Sequence, residues 1–188
     1  MDVPPIVVAG RNPAKAAALK RVAAPIAQRC IRRLQVDVDE SGQSFAENAR
    51  TKAESASRSA PGTLALASDG GLLIPALGAR WDPLRTARFA PDSSPEAKAR
   101  RLLDLVGELR GDARTAYWTE AFAVAHDGRT LEVWTERGPR CRIAESPREP
   151  IGHFWVEALL WACDPGPSHW ELLAVRFEDF CRRRGYVP

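Results

Sequence analysis

A short, wholly apolar run opens the chain. Ile6-Val7-Val8-Ala9 stops at Gly10, Asn12 and Pro13 follow, and an Ala-rich helical pattern begins. An uninterrupted run of that length reads as a buried strand. Asn12 is a good N-cap, and Pro13 falls at the first helical position, where its missing N–H costs nothing. A helix is therefore expected from Pro13 to Ala23, ending near Pro25.

The same alternation continues. Ile31 to Val38 reads as a second strand. Ser44-Phe45-Ala46-Glu47 is a capping box that opens a helix running to about Ser59. Leu64 to Ala67 is another short buried strand, Ser68-Asp69-Gly70-Gly71 is expected to break it, and Leu72 to Leu77 follows with Pro75 interrupting regular pairing. Residues 79–94 read as a surface loop. Leu102, Leu105, Val106 and Leu109 then fall at helical spacing between Pro95 and Arg110, with Gly111 as C-cap. Ala113 to Ala125 and Arg129 to Glu136 read as a hairpin turning at Asp127-Gly128, and Arg140 to Ala144 extends the meander. After a Pro-rich stretch around the apolar patch 154–162, Ser168 to Glu171 repeats the capping-box pattern. The last helix turns Leu173, Phe177 and Phe180 inward. Strands and helices interleave early and a hairpin comes late, which is α/β with a mixed sheet, read as a single domain over residues 1–188.

Charge and cysteine usage exclude several classes. Net charge is +3, too mild for nucleic-acid binding without a clustered patch. The longest basic run, Arg182-Arg183-Arg184, suits the last turn of a helix. Cys30, Cys141, Cys163 and Cys181 show no CxxC spacing, and their scatter fits reduced thiols. No apolar stretch approaches the roughly 20 residues of a membrane span. The N-terminus lacks the basic flank and apolar core of a signal peptide. The expectation is a soluble, cytoplasmic protein that binds neither nucleic acid nor membrane.

Four clusters carry chemistry. The first is "GRNPAK": a helix start presents free backbone N–H groups to an anion, and Lys15 stands in the first turn, where a cation is locally unfavourable unless an anion joins it. The second is "ESGQSFAENARTKA", where Asn48 and Lys52 are four apart on one helical face and Glu40 precedes the turn at Gly42. In the third, "LASDGGL", Asp69 stands at the end of a buried strand, the edge where open α/β sheets bind ligands. Glu40 and Asp69 together could hold Mg²⁺, which prefers oxygen ligands and often takes only one or two carboxylates plus substrate phosphates. The fourth is "RTARF", whose Arg fork suits phosphate.

Taken in order, Asn12-x-x-Lys15, Glu40-x-Gly42-x-Ser44-Phe45-x-x-Asn48-Ala49-x-x-Lys52, Ala67-x-Asp69-x-Gly71-Leu72 and Ala87-Arg88-Phe89 resemble the Ham1/ITPase family of Mg²⁺-dependent nucleoside triphosphate pyrophosphatases. The resemblance implies an elongated mixed sheet with flanking helices, two lobes around an active-site cleft, and a homodimer. It implies that Asn12, Lys15, Lys52 and Arg88 hold phosphates, that Glu40 and Asp69 hold metal, and that Asp69 is the catalytic carboxylate.

Four departures stand out. The family reads Asp-Asp-Ser-Gly where this chain has Ser68-Asp69-Gly70-Gly71, so one of the paired acids is replaced by Ser68 and Gly70 follows in place of Ser. Arg11 stands where the first motif has a small hydroxyl residue. The base-pocket motif is replaced by "GHFWVEAL", which offers Phe154 and Trp155 for stacking and Glu157 for hydrogen bonding. The late Ser-His-Arg is matched to "LAVRF", retaining Arg176 but putting Val175 at the His position. The expected activity is release of pyrophosphate from a deaminated or modified purine triphosphate. The competing expectations are a nucleotide-binding relative that has lost catalysis and a hydrolase of another modified nucleotide.

Overall fold

The computed structural model describes residues 3–26, 31–152, 154–161 and 163–186. Its strands are β1 (Ile6–Ala9), β2 (Arg32–Leu34), β3 (Leu64–Leu73), β4 (Thr115–His126), β5 (Arg129–Arg137), β6 (Cys141–Ile143) and β7 (Leu160–Trp161). The helices are α1 (Pro13–Ala23), α2 (Phe45–Ser59), α3 (Pro95–Leu105) and α4 (His169–Arg183). Strand pairing follows the order β2-β1-β3-β4-β6-β7, with β5 on β4. The residues divide into two compact units, one made of Met1–Gly70, Glu120–Glu136 and Pro167–Pro188, the other of Gly71–Thr119 and Arg137–Gly166.

In the first unit β1 pairs in parallel with both neighbours, Val7 opposite Arg32 on one side and Ala65 on the other. Alternation sorts the side chains. Ile6, Val8, Leu64, Leu66, Phe122 and Val124 share one core with Ala16, Leu19 and Val22 of α1 and Leu173, Phe177 and Phe180 of α4. Val7, Ala9, Ala65 and Ala67 point the other way. α2 packs on β1 through Ala49, Ala53 and Ala56, all fully buried, and these small residues let the helix approach closely. The β4–β5 turn puts Asp127 at φ 47° and Gly128 at φ 78°, the pair of positive values that a two-residue hairpin requires.

In the second unit β6 pairs antiparallel with β4 and β7, Arg142 lying opposite Thr115 and Trp161. Its core gathers Leu72, Trp81, Leu102, Trp118, Ile143, Trp155 and Leu159. Arg114 is buried and spends its guanidinium on backbone carbonyls, including Ile143 at 2.8 Å and Val106 at 3.2 Å.

Four expectations are corrected. Ser68-Asp69-Gly70-Gly71 does not break β3, which runs unbroken to Leu73, because pairing within the sheet overrides the turn preference of Asp-Gly-Gly. The second strand covers only Arg32–Leu34. The third helix ends at Leu105, with Val106 as its cap, rather than reaching Arg110. Cys141 and Cys163 form a disulfide, because β6 and the chain after β7 run side by side; Cys181 is free and buried, and burial pushes its thiol up to about 12. Cys30 lies outside the described residues.

Candidate active site

The first unit assembles a site from four chain segments: the start of α1, the start of α2, β3 and its neighbour β4. Asn12 caps α1 as its type predicts, Oδ1 accepting from the N–H groups of Ala14 (2.9 Å) and Lys15 (3.4 Å). Lys15 folds back from the first turn. Its Nζ donates to the Gly70 carbonyl at 3.4 Å and pairs with Glu120 Oε1 at 2.9 Å.

At α2, Ser44 Oγ accepts from the Glu47 N–H at 3.1 Å. Glu47 Oε2 accepts from the Gln43 N–H, one residue before the cap, so the reciprocal bond of a capping box is displaced by one position. This start delivers Asn48 and Lys52, four residues apart and both buried, to the same point. Asn48 bridges two segments, because its Oδ1 accepts from the Gly42 N–H (3.0 Å) while its Nδ2 donates to Asp69 Oδ2 (3.0 Å). Lys52 Nζ lies 2.9 Å from Asp69 Oδ1, 2.9 Å from Glu40 Oε1 and 3.4 Å from the Ser68 carbonyl. Gly42 is required in this turn. A Cβ there would stand 2.6 Å from Asn48 Oδ1 and 2.9 Å from Glu47 Cβ.

Asn12, Lys15, Glu40, Asn48, Lys52, Ser68, Asp69 and Gly70, all singled out from sequence, are thus gathered in one unit. Sequence reasoning missed Glu120 and His169. Glu120 is fully buried on β4. His169 is the first residue of α4 and is electrostatically coupled to Glu120 and Lys15. Burial lowers its pKa, with the Glu120 charge opposing and the Lys15 charge adding to the effect. The signal for His169 was present: Ser168-His169 is a Ser-His pair whose Ser caps a helix, six residues before the Val175 assigned to the His position.

The donor set suits a hard divalent cation. Glu40 and Asp69 direct carboxylate oxygens at one position, and the Lys52 ammonium shows that a cation is stable there. No group of three His, Cys, Asp or Glu side chains forms a closed cage among the described residues. Two carboxylates with the rest of the shell left to water and phosphate is the usual Mg²⁺ arrangement.

The other residues predicted from sequence have surroundings of their own. Arg176 is an exposed helix residue whose Nε donates to Glu136 Oε1 at 2.8 Å, and Arg11 is exposed and pairs with Asp37 at 3.3 Å. In the second unit, Arg88 ends a 3-10 turn (Pro83–Arg88) anchored by buried Thr86, whose Oγ1 accepts from the Leu72 N–H at 3.0 Å. Phe154 is 39% exposed and meets Trp118 edge-on. Trp155 is buried and stacks on Phe89, and Glu157 is exposed.

Comparison with known proteins bears on family and fold. The sequence model of the Ham1 family matches residues 6–161. A dITP/XTP pyrophosphatase of Geobacillus kaustophilus is 38% identical over 72% of this chain, and one of Acidobacterium capsulatum is 44% identical over 53%. The matches span 65% and 51% of those relatives' own lengths. The structure of a HAM1 protein from Coxiella burnetii superposes with a TM-score of 0.69 at 23% identity, covering 94% of this chain and 100% of that one, and establishes the likeness of fold: a mixed, curled sheet with flanking helices.

Proposed function

The chain belongs to the Ham1 family, and from that membership we propose that it hydrolyses a purine nucleoside triphosphate between its α- and β-phosphates, releasing monophosphate and pyrophosphate. The observation that carries this reading is Asp69. Its two carboxylate oxygens are held separately, one by Asn48 and one by Lys52, within strand β3 just past its apolar half and beside two lysines.

Each residue has a task that follows from its chemistry. Lys15 and Lys52 supply positive charge to the phosphates, and Asn12 offers its amide at the helix start, where anions are favoured. Asn48 and Lys52 orient the Asp69 carboxylate, which takes the proton of the attacking water. Glu40 and Asp69 are the residues that would hold Mg²⁺, which when bound neutralises developing charge on the phosphate oxygens. Most of the barrier reduction then comes from charges already in place, as expected for phosphoryl transfer.

The proposal extends to Arg88 as a further phosphate ligand, and to Phe154, Trp155, Glu157 and Arg176 as readers of the base. It also extends to Mg²⁺ dependence, a homodimer and a cytoplasmic location. The test is product analysis. The purified protein is incubated with excess Mg²⁺ and a panel of standard and deaminated triphosphates, and the products are separated by ion exchange. Monophosphate plus pyrophosphate is expected from at least one substrate, and Asp69→Asn is expected to abolish it, by about a thousandfold or more. Ligand-induced stabilisation without turnover on the whole panel would instead establish a binding protein, the outcome toward which the serine at position 68 points.

A further inference from the structure

Lys15 stands where a helix disfavours a cation. The first turn of α1 contains no acidic residue to compensate the positive end of the dipole. The counter-charge comes from another strand: Glu120 of β4 is fully buried and lies 2.9 Å from Lys15 Nζ. A carboxylate buried this deeply requires a charged partner, so the pair fixes the ammonium as firmly as it satisfies the acid. The same ammonium reaches the Gly70 carbonyl, one residue beyond Asp69.

Strand alternation shows what surrounds this pair. Leu64 and Leu66 of β3 and Phe122 and Val124 of β4 all enter the core beneath α1 and α4. The next residue of each row on that same face is Ser68 on β3 and Glu120 on β4, and β3 and β4 are neighbours in the sheet. Both rows change from apolar to polar at these positions. Ser68 Oγ is buried and has no hydrogen-bond partner among the described residues. His169, the first residue of α4, interacts electrostatically with both members of the pair.

We infer that Glu120 is a positioning residue of this site: from β4 it holds the Lys15 ammonium at the Gly70 carbonyl beside Asp69, and position 68 on β3 is where a carboxylate can take over that task. The consequence for turnover rests on the pyrophosphatase reading above; the placement of Lys15 does not.

The experiment compares wild type, Glu120→Gln and the double variant Ser68→Asp/Glu120→Gln. Two quantities are read: reactivity of Lys15 toward an amine-directed reagent, by peptide mass spectrometry, and steady-state kinetics with a separate affinity for inorganic pyrophosphate. In Glu120→Gln, Lys15 labelling is expected to rise severalfold and kcat to fall about tenfold or more, since misplaced groups lose that much and more. Pyrophosphate affinity is expected not to weaken, because the variant has lost a negative charge near the anion. The double variant is expected to restore both protection and kcat. Unchanged Lys15 labelling in Glu120→Gln overturns the inference, as does a kcat loss that Ser68→Asp does not recover. If Glu120→Gln fails to fold, the double variant decides: folded with Lys15 protected supports the inference, and unfolded overturns it. If the wild type releases no pyrophosphate from any triphosphate, the functional reading fails and the labelling comparison still tests Glu120.

Discussion

Replacing Lys52 by Met tests whether the site was built around a cation. The ammonium lies 2.9 Å from an oxygen of Glu40 and 2.9 Å from an oxygen of Asp69, and the three side chains are only 10%, 26% and 13% exposed. Those two oxygens are therefore at most 5.8 Å apart (2.9 plus 2.9). Without the ammonium they repel by about 3 kcal/mol at that distance and an effective dielectric constant of 20. Breaking a buried pair by removing one partner costs about 3–5 kcal/mol, and the partial exposure of Glu40 argues for the lower end. For a chain of this size, about 3 kcal/mol corresponds to a fall in Tm of roughly 6–12 °C. A divalent cation can then enter the emptied position and relieve the same repulsion. The assay is thermal unfolding of wild type and Lys52→Met, with and without MgCl₂ at constant ionic strength. Lys52→Met should melt well below wild type in chelator and recover most of the difference in millimolar Mg²⁺, while wild type shifts less. A variant as stable as wild type in chelator, or one that Mg²⁺ stabilises no more than wild type, would refute the reasoning.

Other outcomes follow from neighbouring geometry. Gly42→Ala drives a Cβ to 2.6 Å from Asn48 Oδ1. It should cost about 1–3 kcal/mol in urea unfolding and lower kcat by releasing Asp69 from Asn48. His169 has a folded-state pKa held below its usual value, chiefly by burial. The folded protein therefore binds fewer protons here than the unfolded chain, and this stability is present above the ordinary histidine value and lost as pH falls from there through the lowered folded-state value. His169→Asn should flatten the acid side of the Tm profile between pH 7 and 5, and an unchanged profile would remove His169 as its cause. Cys141 and Cys163 close a loop with a separation of 22 residues. Cys141→Ser should lower stability by about 3 kcal/mol on the chain-entropy model, a loss that added reductant reproduces in wild type and leaves unchanged in the variant.

Some of this molecule is local. Asn12-Pro13 starts α1 and Ser44 starts α2 because a cap depends on residues two or three positions away, within the same few residues of chain. The Asp127-Gly128 turn and the pairing of Asn48 with Lys52 on one face are local in the same way. Those features carried most of the site: two helix starts, an apolar run leading to Asp69, and the carboxylates and lysines between them. What sequence could not reveal depends on neighbours distant in the chain. Ser68-Asp69-Gly70-Gly71 reads as a break until flanking strands fill its backbone valences and draw it through as β3. Cys141 and Cys163 read as unrelated until β6 and β7 lie side by side. Glu120 reads as one acid in an otherwise apolar strand until α1, starting more than a hundred residues earlier, brings Lys15 to it. Propensity and capping are short-range energies written into adjacent residues. The partner of a buried charge is chosen by which strands and helices pack together, and only the folded sheet decides that.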